Sequence, residues 1–199
     1  RGVRHPMDVE EMMPLSAKLL ARARGGDVAA QCSVANRLMS RGGPMGYRRA
    51  MSWLRLAAAT GEPWAAYHLG LVYDDGLGTR RNRRAAIQWY ERAAAQGYAS
   101  AQLNLGIILA NLKGSNRDTH RAVKLYRQAA RQGNRNAAYN LGLYYSRGQG
   151  VPKSLATARR WYQFAARRGD RDSARALRAL GRVPNNRLKL AARGRPVAD

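Results

Sequence analysis

Cysteine occurs once in 199 residues, at position 32. That excludes an internal disulfide framework and any metal site built from several thiolates. Histidine is nearly as scarce. His5, His68 and His120 lie far apart, with no H-x-x-x-H pair and no His/Cys pair, so the sequence offers no metal-ligand set. Asp74-Asp75 is the acidic pair of the chain's interior, and it reads as a solvated loop end rather than a catalytic dyad. No apolar run approaches the roughly 18 residues of a membrane-spanning helix. Arg1 to Pro14 lack the apolar stretch of a secretory signal. These absences fit a reducing compartment, and the expected location is the cytoplasm.

What is abundant is arginine. It supplies 31 of the 36 basic residues against 12 acidic ones, for a net charge of +24. Residues 1–118 carry net +8 and residues 119–199 carry net +16. Such an excess attracts polyanions. The competing reading is arginine written onto solvated helix faces. At this length a chain buries roughly 70% of its unfolded surface, enough to fold without a staple.

The chain repeats itself. Gly61, Gly97, Gly133 and Gly169 stand 36 residues apart, and Gly26 lies 35 before Gly61. Leu69, Leu105 and Leu141 keep the interval, as do Gly70, Gly106 and Gly142, and Trp53, Trp89, Leu125 and Trp161. A fixed period in this range marks stacked supersecondary units.

Each unit predicts two helices. In the second, Ala86, Trp89, Tyr90, Ala93, Ala94 and Gly97 fall on one helical face that ends in a stop. The terminal glycine suits a left-handed cap. Gly46, Asn82, Asp118 and Ser154 share one register position and are all N-cap types. The first helix carries Ala65, Leu69, Gly70 and Tyr73. A mid-helix glycine costs about 1 kcal/mol against alanine, so its return at 70, 106 and 142 predicts helix packing too close for a side chain. Position 35 is still small, as Ala35. The G-x-G of Gly76-Leu77-Gly78 lacks the preceding strand that a dinucleotide fingerprint requires.

These residues resemble the Sel1-like repeat family. The second unit shows Ala65, Leu69-Gly70, Tyr73, Gly76-x-Gly78, Asn82, Ala86, Trp89-Tyr90, Ala93-Ala94 and Gly97. The fourth shows Ala137, Leu141-Gly142, Tyr145, Gly148-x-Gly150-Val151, Ser154, Ala158, Trp161-Tyr162, Ala165-Ala166 and Gly169. The first unit departs, with Val34-Ala35 for Leu-Gly. The third has Lys113-Gly114-Ser115-Asn116 instead of the double-glycine loop. The resemblance implies an all-α, right-handed solenoid of helix-turn-helix units related to tetratricopeptide arrays, serving as an adaptor or scaffold. A cysteine-rich subgroup looks like β-lactam-binding proteins, but with no cysteine pair here that activity is not carried over.

The expected organisation is an N-terminal segment with a capping helix (1–25), a repeat array (26–180) and a flexible basic tail (181–199). The array divides into 26–60, 61–96, 97–132, 133–168 and a partial unit at 169–180. Leu15, Leu19, Leu20 and Ala23 form the stripe of the capping helix. Arg178 stands where Gly142 stands one unit earlier, which predicts a terminal cap.

No nucleophile, base and orienting group come together in the sequence. No catalytic residue and no cofactor is therefore expected, and Cys32 reads as a packing thiol. The candidate site is a surface. At 100° per residue, Leu69, Gly70 and Tyr73 point with Ala65, while Trp64, Tyr67, His68 and Leu71 point away. Their equivalents are Leu103, Asn104 and Ile107, then Asn136, Tyr139, Asn140 and Leu143. In a solenoid of this family the first helices line the concave face. An apolar stripe with polar neighbours there predicts binding of a peptide or partner protein, acidic or amphipathic to suit the charge. The alternative is nucleic acid or another polyanion held by Arg80, Arg81, Arg83, Arg84, Arg167 and Arg168.

Overall fold

In the computed structural model the described residues are 15–40, 43–111 and 116–181. They form ten α-helices and no strand. The helices are α1 (Ala17–Arg24), α2 (Val28–Ser40), α3 (Gly43–Ala59), α4 (Pro63–Asp75), α5 (Arg83–Ala95), α6 (Ala99–Asn111), α7 (Asn116–Arg131), α8 (Arg135–Arg147), α9 (Leu155–Ala166) and α10 (Arg171–Gly181). Even-numbered helices are the first helices of the repeats and odd-numbered ones the second. The fold is the all-α, helical-hairpin architecture that the periodicity predicts. The expected tail beyond 181 lies outside the described residues.

The chain divides into two compact units. The first spans Arg1–Asn111 and contains α1–α6; the second spans Leu112–Asp199 and contains α7–α10. Within the first, each helix packs on the next, and α6 also reaches α4. Within the second, α8 is covered by α7, α9 and α10. Of the expected apolar stripe, Leu19, Leu20 and Ala23 lie on α1 and Leu15 precedes it, with Ala23 buried and α1 packed on α2. Arg178, which stands where Gly142 stands one unit earlier, is exposed on α10.

The repeated glycines do the work that their positions imply. Gly26, Gly61, Gly97, Gly133 and Gly169 all have φ between 82° and 93°. Beyond Gly97, the Tyr98 amide donates to the Ala93 carbonyl at 3.0 Å, the long bond of a Schellman cap. The residue after the glycine then starts the next first helix. Asp27, Asn134 and Asp170 each accept a backbone N–H three residues on, from Ala30, Ala137 and Ser173. Glu62 accepts from Trp64, with Pro63 at the first helical position. Thus a single dipeptide closes one helix and caps the next.

Two of the four expected caps at the second helices hold. Asn82 accepts from Ala85 and Ser154 from Thr157. Gly46 and Asp118 are corrections. Gly46 lies inside α3, which begins earlier at Gly43 with Pro44 behind it, and Asp118 lies in the first turn of α7. α3 starts one turn earlier than the register of α5 and α9, and the acidic side chain at 118 suits a helix N-terminus without capping it.

The loop glycines have separate reasons. Gly76 and Gly148 are left-handed caps of α4 and α8. A Cβ on Gly78 would meet the Pro44 carbonyl and stand 2.7 Å from the Arg48 amide, and one on Gly150 would stand 2.6 Å from Thr119 Cγ2. The loop therefore lies against the start of the previous second helix, and no phosphate cradle is involved.

The core is built of alanine with a few large side chains. Tyr90, Tyr126, Leu54, Leu69 and Leu141 are among its largest fully buried members. Small residues bring the helices together, and each large one adds roughly 1.5–3 kcal/mol of burial.

Candidate functional site

The first helices carry the outward residues singled out in the sequence, and their surroundings differ. On α4, Trp64 and His68 are one turn apart and their rings meet at a 50° tilt with centroids 4.1 Å apart. Tyr67 meets His68 edge-on at 5.2 Å. It also lies against Tyr98 at 5.0 Å and Tyr90 at 6.0 Å, so its ring is wedged between successive repeats. Asn104 donates through Nδ2 to the Tyr90 hydroxyl at 3.3 Å. Leu71 is half-buried.

On α6, Ile107 is 38% exposed, whereas Leu103 is only 8% exposed. Leu103 is a departure from the expected open stripe: its side chain is consumed by packing within the first unit. In the second unit Asn136 is exposed, and Tyr139, Asn140 and Leu143 are half-buried. Tyr139 packs on the second helix of its own hairpin, with its ring 5.9 Å from Tyr162.

Two clefts open between α2 and α4 in the first unit. One, of about 440 Å³, is lined by Ala29, Cys32, Ser33, Asn36, Glu62 and Trp64. The other, of about 290 Å³, includes Asn36, Ser40, Tyr47, His68, Leu71 and Asp75. Asn36 belongs to both. Cys32, Ser33, Asn36 and Tyr47 are absent from the sequence-derived site. The signal that could have found them is register: position 32 is the equivalent of 67, and position 36 that of 71.

The titratable groups of these clefts are set for packing. Burial, helped by the nearby Glu62 carboxylate, raises the Cys32 thiol to about 11. It stays a thiol at neutral pH, the opposite of what a nucleophile needs. Burial lowers His68 to about 4, so it is neutral there. Asp74 is not the solvated loop end expected. Its Oδ1 is buried, and Arg81 approaches it at 3.9 Å.

The arginine clusters are built differently in each unit. In the first, Arg80, Arg83 and Arg84 are exposed at the entry to α5. With Tyr73, Thr79, Arg81 and Asn82, Arg80 and Arg83 line an open cleft of about 590 Å³. In the second, Arg168 spreads over the Phe164 ring at 3.6 Å, and its carbonyl accepts from Arg135 at 3.2 Å. Arg167 caps the end of α9. No group of three or more His, Cys, Asp or Glu among the described residues could hold a metal ion. No helix among them is long and apolar enough to cross a membrane.

The Sel1 repeat family matches residues 28–61, 65–98, 99–134 and 135–170. No curated protein sequence matches the chain. Among solved structures the chain is similar to a protective antigen of uropathogenic Escherichia coli strains that displays an SLR fold. The identity is 33% and the TM-score 0.73, over 80% of this chain and 35% of that one. It is also similar to a Sel1 repeat protein from Oxalobacter formigenes, with 29% identity and a TM-score of 0.72, over 80% of this chain and 66% of that one. Helicobacter pylori cysteine rich protein B has the same fold at 22% identity and a TM-score of 0.51, over 65% of this chain and 92% of that one. The chain thus spans about a third of the length of the Escherichia coli protein and 66% of the Oxalobacter one.

Proposed function

On the premise that this chain belongs to the Sel1 repeat family, we propose that it is a protein-interaction adaptor that docks a partner segment on its first helices. Proteins of the family generally mediate protein–protein contacts and act as non-catalytic scaffolds. The observation that carries the reading is the pair of clefts between α2 and α4, lined by Trp64, His68 and Leu71. Aromatic and apolar side chains there are half-buried and keep accessible surface that the hairpins do not consume.

The test uses residues that do not also hold the repeats together. Tyr67 is unsuitable because it packs on Tyr90 and Tyr98. A Trp64→Ser, Leu71→Ser, Ile107→Ser variant should keep its helical circular dichroism and lose the partners that the wild-type chain captures from its native host. Unchanged capture by the folded variant rejects the reading.

The second reading, polyanion binding, is supported by the open cleft at Arg80, Arg81 and Arg83. Phosphate contacts there would make binding fall steeply with salt. Retention of single-stranded nucleic acid at 150 mM salt, lost in an Arg80→Ala, Arg83→Ala, Arg84→Ala variant, is the expected result of that reading. No retention of the wild-type chain removes it.

A further inference from the structure

Position 32 sets the seam between α2 and α4 apart. The equivalent residue is tyrosine in the second and fourth repeats: Tyr67 packs on Tyr90 of its own hairpin and on Tyr98 beyond it, and Tyr139 packs on Tyr162 of its own hairpin. In the third it is Leu103, which is buried. Cys32 is much smaller, and a cleft stands beside it. Asn36 lines both clefts, so the two follow one another along α2 and α4 as a trough.

The trough has a carboxylate near each end of α4. Glu62 caps the start of the helix and Asp75 ends it. At 1.5 Å per residue they are about 20 Å apart. No Lys or Arg lines either cleft among the described residues, and His68 is neutral. Arg37, the cation described on α2, is exposed and does not line the trough.

The net charge of +24 does not decide the local preference. Screening at physiological salt acts over about 8 Å. The arginines that reach α4 and its loop are held by other groups: Arg55 donates to the Tyr73 hydroxyl, Arg48 to the Gly78 carbonyl, and Arg81 lies 3.9 Å from Asp74. Glu62 and Asp75 are the charged side chains that line the trough among the described residues. An extended chain rises about 3.3 Å per residue, so roughly six residues bridge the two carboxylates.

We propose that this trough holds an extended, apolar segment of a partner protein with a cationic side chain at each end, meeting Glu62 and Asp75. The proposal rests on the docking reading above and specifies its chemistry: the occupant is basic, against the acidic partner that the total charge suggests.

The probes are three fluorescent heptapeptides, Lys-Ala-Leu-Phe-Leu-Ala-Lys and its versions with Gln or Glu at both ends. Anisotropy with the full chain reads binding. The lysine peptide should bind best and the glutamate peptide worst. A Glu62→Gln, Asp75→Asn variant, which keeps the capping oxygen, should weaken the lysine peptide about three- to ten-fold. Cys32→Tyr should fill the trough as Tyr67 fills its own seam, and abolish binding without loss of helicity. If the glutamate peptide binds as well as the lysine one and Cys32→Tyr blocks both, the cationic preference falls and docking stands. An unchanged affinity in the double variant overturns the proposal in the same way. Binding of none of the three overturns the proposal and the docking reading together.

Discussion

The ring of Tyr90 occupies the space that a side chain on Gly70 would need. A Cβ built on Gly70 stands 2.5 Å from Tyr90 Cδ1, and Tyr90 is fully buried. Gly142 stands in the same relation to Tyr162, also at 2.5 Å from Cδ1. The first hairpin shows the alternative solution, with Ala35 and Leu54 at the equivalent positions and both fully buried. A Gly70→Ala substitution gains up to about 1 kcal/mol of helix propensity. Overpacking costs about 1–3 kcal/mol, and a buried ring cannot swing aside, so the clash wins. The expected net loss is up to about 2 kcal/mol by urea unfolding. Tyr90→Leu should cost less in the Gly70→Ala background than in the wild type. Strict additivity in that double-mutant cycle would contradict the account.

The caps give a sharper contrast. Asn82→Ala and Ser154→Ala each remove an acceptor from a helix start and should cost about 1 kcal/mol. Gly46→Ala removes no cap. It should still destabilise, because a Cβ there would run into the Leu38 carbonyl. Neutral outcomes at Asn82 and Ser154 would show that solvent replaces the caps.

His68 makes stability depend on pH. Its folded pKa, about 4, lies below the ordinary 6.5 because burial disfavours the charged ring. Between those values the unfolded chain binds the proton and the folded chain does not. Stability is therefore full above pH 6.5 and is lost as pH falls towards 4. His68 keeps some contact with solvent, which reduces the effect to about 1 kcal/mol between pH 7 and pH 5. His68→Asn, the residue at the equivalent positions 104 and 140, should flatten that part of the profile. Identical slopes for the two proteins would exclude His68 as the source.

Cys32 should be a slow thiol. With its pKa raised from 9.0 to about 11, the thiolate fraction at pH 8 falls roughly a hundred-fold. Maleimide labelling of the folded chain should be slower than that of the urea-unfolded chain by tens of fold or more. Comparable rates would mean that the thiol is neither buried nor held protonated.

A fifth expectation concerns the links between hairpins. Arg55 donates to the Tyr73 hydroxyl at 2.8 Å, and Arg127 to Tyr145 at 2.9 Å. The intervening repeat has Glu91 and Leu109 at these positions, so donor and acceptor change together. Tyr145→Phe, in the more buried pair, should cost about 1 kcal/mol, and Tyr73→Phe less. The reverse order, measured by thermal unfolding, would contradict this assignment of burial.

The sequence alone determined the helices, their pairing and their glycines. A 36-residue period with a 3.6-residue apolar face leaves few other architectures, and a glycine at a helix end or beneath an aromatic ring has a local reason visible in the repeat. It did not reveal that Gly46 and Asp118 lie within helices, because an N-cap is defined by the backbone at the helix start and residue type only favours it. Nor did it show which outward side chains remain accessible. Tyr67 and Ile107 share one face of the helical wheel, yet Tyr67 is wedged against Tyr90 and Tyr98 while Ile107 meets solvent. Periodicity gives the direction of a side chain from its own helix axis. Whether another helix stands in that direction is settled by tertiary packing, and at position 32 that packing, around a side chain too small to bridge it, left a trough open.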